Sequence, residues 1–205
     1  MFDRSIYRLC LVTDRGLARG RSLVDVVGAA VRGGVTMVQL REKTATTREF
    51  LEEARALQAL LAPLGVPLVI NDRVDIALAV GAAGVHVGQT DMPIEAVRAL
   101  VGPERILGLS ITKRAQIERN DAKAADYLGI GPIFAQATKA DASTPLGFDG
   151  FAALRRLSEK PVVAIGGVKA EHVAPLREAG ADGVAVVSAI VSADDPEHAA
   201  RAFGM

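Results

Sequence analysis

Tryptophan is absent from the sequence, and aromatic residues make up only 4% of its 205 positions. Surfaces that stack nucleic-acid bases need exposed aromatic rings, so a surface of that kind is not expected. Charge points the same way, because 24 Lys and Arg residues balance 24 Asp and Glu residues and leave no net field to attract a polyanion. We therefore expect small-molecule partners and no nucleic acid.

Cysteine is almost absent as well, since Cys10 stands alone in the apolar run at 9–12. A single cysteine cannot form an internal disulfide, and it excludes a zinc site built from several thiolates. No apolar run approaches the roughly 20 residues of a membrane-spanning helix, and the first residues lack a signal-peptide pattern. These features predict a cytoplasmic protein without a membrane partner.

Short apolar runs alternate with longer segments of helical period along the whole chain, a pattern typical of βα repetition. Eight runs have the composition of buried parallel strands. They lie at 8–13, 35–41, 67–71, 84–87, 106–110, 126–131, 161–166 and 182–187. Eight units of roughly 26 residues each are close to the minimum for a strand, a crossover helix and two loops. The pattern predicts a single (β/α)₈ TIM-barrel domain over 1–205.

An open doubly wound sheet is the alternative fold, but no Gly-x-Gly-x-x-Gly motif follows the first predicted strand. Capping residues at the predicted helix ends agree with the division of the chain into eight βα units. Thr46 and Glu49 have capping-box spacing at the start of the second helix, and Gly65 follows its end. Ser22 is expected to cap the first helix.

Polar residues follow the second predicted strand, at the end where a TIM barrel holds its active site. Period-two alternation directs Gln39, Arg41 and Lys43 to one side of the strand. Leu40 and Glu42 then face the other side. One amide and two cations at the barrel mouth predict the binding of an anionic group.

Two carboxylates, Asp72 and Asp91, follow the third and fourth predicted strands. Oxygen ligands beside an arginine and a lysine favour Mg²⁺ held against a pyrophosphate. The alternative is that each aspartate is the N-cap of the helix after it, a common use of aspartate after a strand. The metal interpretation is favoured, more strongly for Asp72 than for Asp91.

Loops after the later strands add further candidates. Ser110 ends the fifth predicted strand, and the long polar loop at 135–141 carries Lys139 and is a candidate lid. Gly167 and Ser188 follow strands seven and eight, where such barrels commonly bind phosphate through backbone N–H groups. The mouth is therefore expected to bind two anionic groups.

His86 lies between Val85 and Val87, so its side chain faces the opposite way from both. It could point into the barrel, although a buried histidine with its hydrogen bonds satisfied is the favoured interpretation. No Ser-His-Asp or Cys-His arrangement is recognisable, and we expect no covalent nucleophile.

Seven short motifs occur in a fixed order along the chain. They are VQLREK at 38–43, INDR at 70–73, GVHVGQTD at 84–91, GLS at 108–110, GPIF at 131–134 with TK at 138–139, IGG at 165–167 and VSAI at 187–190. Together they resemble the thiamine phosphate synthase family over essentially the whole chain. The resemblance implies an enzyme that joins a pyrimidine diphosphate to a thiazole monophosphate and releases pyrophosphate, by a dissociative mechanism assisted by Mg²⁺.

The resemblance also implies which residues bind each substrate. Residues implied to bind the pyrimidine diphosphate are Gln39, Leu40, Arg41, Glu42, Lys43, Asn71, Ser110 and Lys139. Those with a catalytic part are Arg41, Lys43, Ser110 and Lys139. Residues implied to bind the thiazole phosphate are Gln136, Ala137, Thr138, Gly167, Val187 and Ser188. Asp72 and Asp91 would hold Mg²⁺.

Two positions depart from the family pattern. Gln136 stands where the family commonly has threonine, and Thr112 stands where a histidine often follows two residues after the serine. A thiazole tautomerase of the same fold is expected to use that histidine, so its absence disfavours this alternative. A non-catalytic sensor of the same phosphates is a further alternative, and a homo-oligomer is compatible with the sequence.

Overall fold

Eight parallel strands form a closed barrel in the computed structural model, which describes residues 3–118, 121–135 and 144–204. The strands are β1 (Leu9–Val12), β2 (Met37–Leu40), β3 (Leu68–Asn71), β4 (Gly84–Val87), β5 (Ile106–Ile111), β6 (Tyr127–Ile130), β7 (Val162–Ile165) and β8 (Gly183–Val186). Each pairs with its neighbours in chain order, and β1 also pairs with β8. The predicted TIM barrel is confirmed, and the open doubly wound sheet is wrong.

Helices follow the strands and cover the outside of the barrel. The α-helices are α1 (Leu23–Arg32), α2 (Thr47–Leu61), α3 (Val74–Val80), α4 (Ile94–Val101), α5 (Arg114–Glu118), α6 (Asp121–Ala124), α7 (Gly147–Arg155), α8 (Val173–Glu178), α9 (Ser188–Val191) and α10 (Pro196–Arg201). Short 3₁₀ helices lie at Arg4–Tyr7, Gly16–Ala18, Ala62–Leu64 and Ala170–His172. Within the ranges described, no helix has the length and apolar character to cross a membrane.

The predicted helix ends are confirmed at α2 and only partly at α1. Thr46 and Glu49 form the expected capping box, each side chain accepting from the other residue's backbone N–H. Gly65 adopts the left-handed conformation after the helix. Ser22 occupies the N-cap position of α1, but its side chain makes no capping hydrogen bond.

Alternation along the strands divides the interior into two layers. Outward-facing residues such as Leu40 pack against the helices in the larger cluster. Inward-facing residues, among them Cys10, Met37 and Tyr127, fill the barrel itself. The 3₁₀ helix at Arg4–Tyr7 supplies Tyr7, whose ring centroid lies 5.0 Å from that of Tyr127. These side chains fill the interior, so the barrel is a packed core and not a pore. Full burial of side chains of this size contributes about 1.5–3 kcal/mol each.

Barrel closure at β8 depends on a glycine at a position where the neighbouring backbone leaves no room for a side chain. A Cβ atom on Gly183 would lie 1.8 Å from the carbonyl oxygen of Tyr7. That oxygen belongs to the backbone, which cannot move aside as a flexible side chain does. The position therefore requires glycine for the close approach of the N-terminal segment.

Gly183→Ala is expected to lower the free energy of unfolding by about 3 kcal/mol, because the added methyl group overlaps backbone atoms. Gly28→Ala is the matched control, since a Cβ there meets its nearest neighbour at 3.8 Å within α1. It should raise the free energy of unfolding by about 0.5–1 kcal/mol. Urea unfolding followed by circular dichroism measures both changes, and equal effects at the two sites would contradict this account.

Candidate active site

A cavity of about 890 Å³ opens at the carboxyl ends of the strands, within the usual range for small-molecule sites. Each of the eight strands contributes at least one residue to its wall. In strand order, one residue from each is Val12, Gln39, Asn71, His86, Ser110, Gly129, Ile165 and Ala185. The predicted location of the site at this end of the barrel therefore coincides with the cavity.

Arg41 lines the cavity just beyond β2 and is held by two residues that follow β1. Its guanidinium lies 3.4 Å from Asp14, and its backbone N–H donates to the Thr13 hydroxyl at 3.0 Å. Asp14 also lines the cavity. Sequence analysis missed both residues, although they follow β1 directly, as the other polar candidates follow their strands.

Leu40 and Glu42 face away from the cavity, as alternation predicts. The Leu40 side chain is fully buried in the outer cluster. Glu42 accepts from the backbone N–H groups of Lys43 and Thr44 at 2.7 and 2.9 Å, and it pairs with Arg15 at 2.9 Å. Its side chain thus shapes the loop that carries the cations, and neither Leu40 nor Glu42 lines the cavity with its side chain.

The surroundings of Glu42 favour its charged form. Burial acts to raise the pKa, but the backbone N–H groups and Arg15 outweigh it and lower the pKa from 4.5 to about 2. Hydrogen bonds to an ionised carboxylate have this effect because they are lost on protonation. The loop after β2 is therefore stabilised by an ionised glutamate.

Lys43, Asp72 and Asp91 form a charged cluster beside the cavity, although none of the three is part of its wall. The Lys43 ammonium lies 2.5 Å from a carboxylate oxygen of Asp72. Asp91 accepts from the Gly88 N–H at 2.6 Å. Burial raises the pKa of Asp91, and the neighbouring Asp72 raises it further, against the effect of Gly88 and Lys43.

The capping alternative for the two aspartates is wrong. The N-cap residue of α3 is Arg73, and that of α4 is Pro93. Asp72 instead has a φ of 61°, a left-handed conformation that aspartate tolerates better than most residues. Two adjacent carboxylates that repel each other are a donor set suited to Mg²⁺, which takes few protein ligands and fills its shell with water and phosphate oxygens. Groups of three or more metal-ligating side chains do not occur in the described ranges.

His86 lies at the floor of the cavity and is hydrogen-bonded on both ring nitrogens. Its Nδ1 is 2.8 Å from the Tyr127 hydroxyl, and its Nε2 is 2.9 Å from the Ser110 hydroxyl. It is 6% exposed, so the favoured interpretation of a buried, satisfied histidine is confirmed, and the ring also faces into the barrel. Burial lowers the pKa of His86 to about 4, and the charge of Asp91 acts in the opposite direction.

Two glycines make room for this histidine. A Cβ on Gly108 would lie 2.3 Å from Nδ1 of His86, and one on Gly129 would lie 3.2 Å from its Cε1. These glycines lie on the two strands that follow β4, where Gly108 pairs with His86 and Gly129 pairs with Ser110. A histidine flanked in space by glycines was not recognisable from sequence spacing.

The loops after β7 and β8 form the other part of the cavity wall. Gly166, Gly167, Val187 and Ser188 all line it. Gly167 has a φ of 66°, and a Cβ there would lie 2.9 Å from the carbonyl oxygen of Ala135. Gly167 therefore packs closely against the backbone at Ala135, and both residues line the cavity.

Four of the residues predicted to contact substrate are not described by the structure. Gln136, Ala137, Thr138 and Lys139 fall in 136–143, outside the described residues. Thr112 lines the cavity, and its N–H donates to the side-chain oxygen of Gln116 at 2.7 Å.

The whole chain is similar to proteins of one enzyme family. Residues 9–190 match the family model described as thiamine monophosphate synthase. A thiamine-phosphate synthase of Solidesulfovibrio magneticus is 58% identical over 200 residues, which cover 98% of this chain and 93% of the relative. One from Syntrophomonas wolfei is 53% identical over 197 residues, covering 96% and 94%. The solved thiamine phosphate pyrophosphorylase from Pyrococcus furiosus is 36% identical, with a TM-score of 0.88 and coverage of 98% and 95%.

Glu42→Gln is expected to flatten the acid dependence of stability. Because the pKa of Glu42 is lower in the folded chain, its stabilisation is present above pH 4.5 and is lost as the pH falls from 4.5 to about 2. Glutamine cannot titrate, so the variant should be less stable at neutral pH and lose less stability on acidification. Urea midpoints measured across this range test it, with Glu52→Gln at an exposed position of α2 as the control. An unchanged pH slope in Glu42→Gln would contradict the assignment.

Proposed function

Since the chain belongs to the thiamine monophosphate synthase family and is a transferase of thiamine biosynthesis, we propose that it joins a hydroxymethylpyrimidine diphosphate to a thiazole bearing a phosphoethyl group. The thiazole is the plain or the carboxylated form, and the products are thiamine phosphate and pyrophosphate. One observation carries the proposal. Arg41 lines one part of the cavity wall, and Gly167 and Ser188 line another, an arrangement that suits two separate anionic groups.

The pyrimidine diphosphate lies against β2 to β5 in this proposal. The residues that bind it are Gln39, Leu40, Arg41, Glu42, Lys43, Asn71, Ser110 and Lys139. Leu40 and Glu42 would contribute main-chain groups, since their side chains face away from the cavity. Arg41 and Lys43 supply positive charge where the leaving pyrophosphate gains negative charge, an arrangement that lowers the barrier to its departure.

Asp72 and Asp91 would hold Mg²⁺, because their carboxylates are adjacent and Asp72 acts to raise the pKa of Asp91. The cation, when bound, neutralises charge on the diphosphate. Lys43 contacts Asp72 and, in this proposal, also lies near the diphosphate. It therefore orients one carboxylate while remaining close to the substrate.

The bond between the pyrimidine methylene carbon and the diphosphate breaks first, and the thiazole nitrogen then attacks the resulting cation. No side chain has to remove a proton from the pyrimidine in this step. The cavity wall also includes Val12, Ile165 and Ala185, whose apolar side chains limit water near the pyrimidine cation. The residues proposed to bind the thiazole phosphate are Gln136, Ala137, Thr138, Gly167, Val187 and Ser188.

The non-catalytic sensor remains the second candidate because Gln136 and Thr112 depart from the family pattern. It predicts binding of both phosphates without turnover. A synthase of this kind suits the cytoplasm, and assembly into a homo-oligomer stays a prediction.

Asp72→Asn is expected to lower kcat/KM about 100-fold and to raise the Mg²⁺ concentration needed for half the maximal rate. Asp75→Asn is the matched control, since it removes a nearby carboxylate that pairs with Arg73 and has an exposed side chain. Turnover is followed by the release of pyrophosphate and the formation of thiamine phosphate in equal amounts. Wild-type protein that binds both substrates and forms neither product would refute the synthase and support the sensor.

A further inference from the structure

A row of hydrogen-bonded groups runs from the cavity floor into the barrel, and of its members the proposed mechanism uses Ser110 but neither His86 nor Tyr127. Ser110 is at one end, His86 follows, and the Tyr127 hydroxyl lies behind it, at 2.9 and 2.8 Å respectively. Tyr127 is 2% exposed and does not line the cavity, whereas Ser110 does. The row thus connects a buried hydroxyl to one that faces the ligand.

The position of the Tyr127 hydroxyl proton decides which group donates in each hydrogen bond of the row. Tyr127 is buried, so its O–H needs an acceptor within the protein, and Nδ1 of His86 lies 2.8 Å from the phenolic oxygen. Burial raises the pKa of Tyr127, and a hydrogen bond from the side chain of Gln39 acts in the opposite direction. An amide N–H that donates to the phenolic oxygen has this effect. The Tyr7 hydroxyl is close by but has no hydrogen-bond partner in the described residues, so it does not accept the Tyr127 proton. Nδ1 of His86 is the acceptor that remains.

A neutral imidazole carries one N–H, so an accepting Nδ1 places the proton on Nε2. Both partners of the His86 ring are hydroxyls and neither is a carboxylate, which favours the neutral form of a buried ring. Nε2–H then donates to the Ser110 oxygen. The Ser110 hydroxyl proton is directed away from His86 and toward the cavity.

We propose that His86 and Tyr127 are positioning residues that fix Ser110 as a hydrogen-bond donor to the ligand, with His86 held as the Nε2–H tautomer. This deepens the proposed function and rests on it for the identity of the acceptor, an oxygen of the leaving diphosphate. With the reverse direction, Ser110 would donate to His86 and offer only lone pairs, which repel an anion. The row therefore makes the floor of the site selective for an acceptor.

The tautomer is measurable on the free wild-type protein, without substrate. The sequence has three histidines, so His172→Gln and His198→Gln variants assign the His86 signals in a long-range ¹H–¹⁵N NMR spectrum. Nε2 should be protonated and Nδ1 unprotonated. A protonated Nδ1 would overturn the proposal, whatever the outcome of the turnover assay.

Tyr127→Phe tests the effect on Ser110, with Tyr7→Phe as the matched control. Both remove a buried hydroxyl from stacked rings, but only the Tyr127 hydroxyl has a partner. Tyr127→Phe should leave His86 as a mixture of tautomers and lower kcat/KM about tenfold, the effect of one charge-assisted hydrogen bond. Tyr7→Phe should stay within about twofold of wild type, because it removes no hydrogen bond.

Ser110→Ala separates positioning from a general loss of structure. If Tyr127 acts through Ser110, adding Tyr127→Phe to Ser110→Ala should cause no further loss of kcat/KM. Inorganic pyrophosphate binding measured by calorimetry should weaken in each single variant, and the double variant should bind as weakly as Ser110→Ala. Additive losses, or equal losses in Tyr7→Phe and Tyr127→Phe, would show a packing effect and refute the positioning role. A wild-type protein without turnover would refute the proposed function alone, since the tautomer is measured independently.

Discussion

Closure of the sheet between β1 and β8 is the constraint on which the other features depend. Leu9 pairs with Val184 and Leu11 with Val186, so the strands lack a free edge and the interior is sealed from the side. Side chains that face inward at the carboxyl ends then have one space to enter. Eight separate strand ends consequently contribute to a single cavity, and the close approach at Gly183 is what permits the last pairing.

Polarity is distributed unevenly around the cavity. The adjacent strands β2 to β5 contribute Gln39, Asn71, His86 and Ser110, whereas β6, β7, β8 and β1 contribute small or apolar residues. Polar groups therefore share one half of the floor and can hydrogen-bond to each other across strands. The other half is apolar up to the glycine-rich loops. Such a division suits a reaction that releases an anion on one side and must keep water from a cation on the other.

Residue patterns predicted the strands and the sides that Gln39 and Leu40 face, because both follow from the period of two. They also predicted correctly that Arg41 would face the cavity and Glu42 would not. Lys43 was predicted to share the side of Arg41, but it pairs with Asp72 beside the cavity and is not part of the wall. Residue patterns did not predict contacts between segments that are distant in sequence. His86 and Tyr127 are 41 positions apart, and their meeting depends on barrel register and on the space left by Gly108. The pairing of Asp14 with Arg41 was missed for the same reason, since nothing in either segment specifies the other.

The edge of the cavity around Arg41 and Lys43 combines charges of both signs. Arg41 and Lys43 bring two positive charges, but Asp14 and Asp72 pair with them, and Asp91 adds a third negative charge nearby. The edge thus carries one net negative charge when all five groups are ionised. A diphosphate would be repelled by it, and a divalent cation on the aspartates changes the balance to one positive charge. In the proposed function the carboxylates therefore make diphosphate binding conditional on the metal, while Arg41 and Lys43 stay in place to meet the charge that develops as the bond breaks.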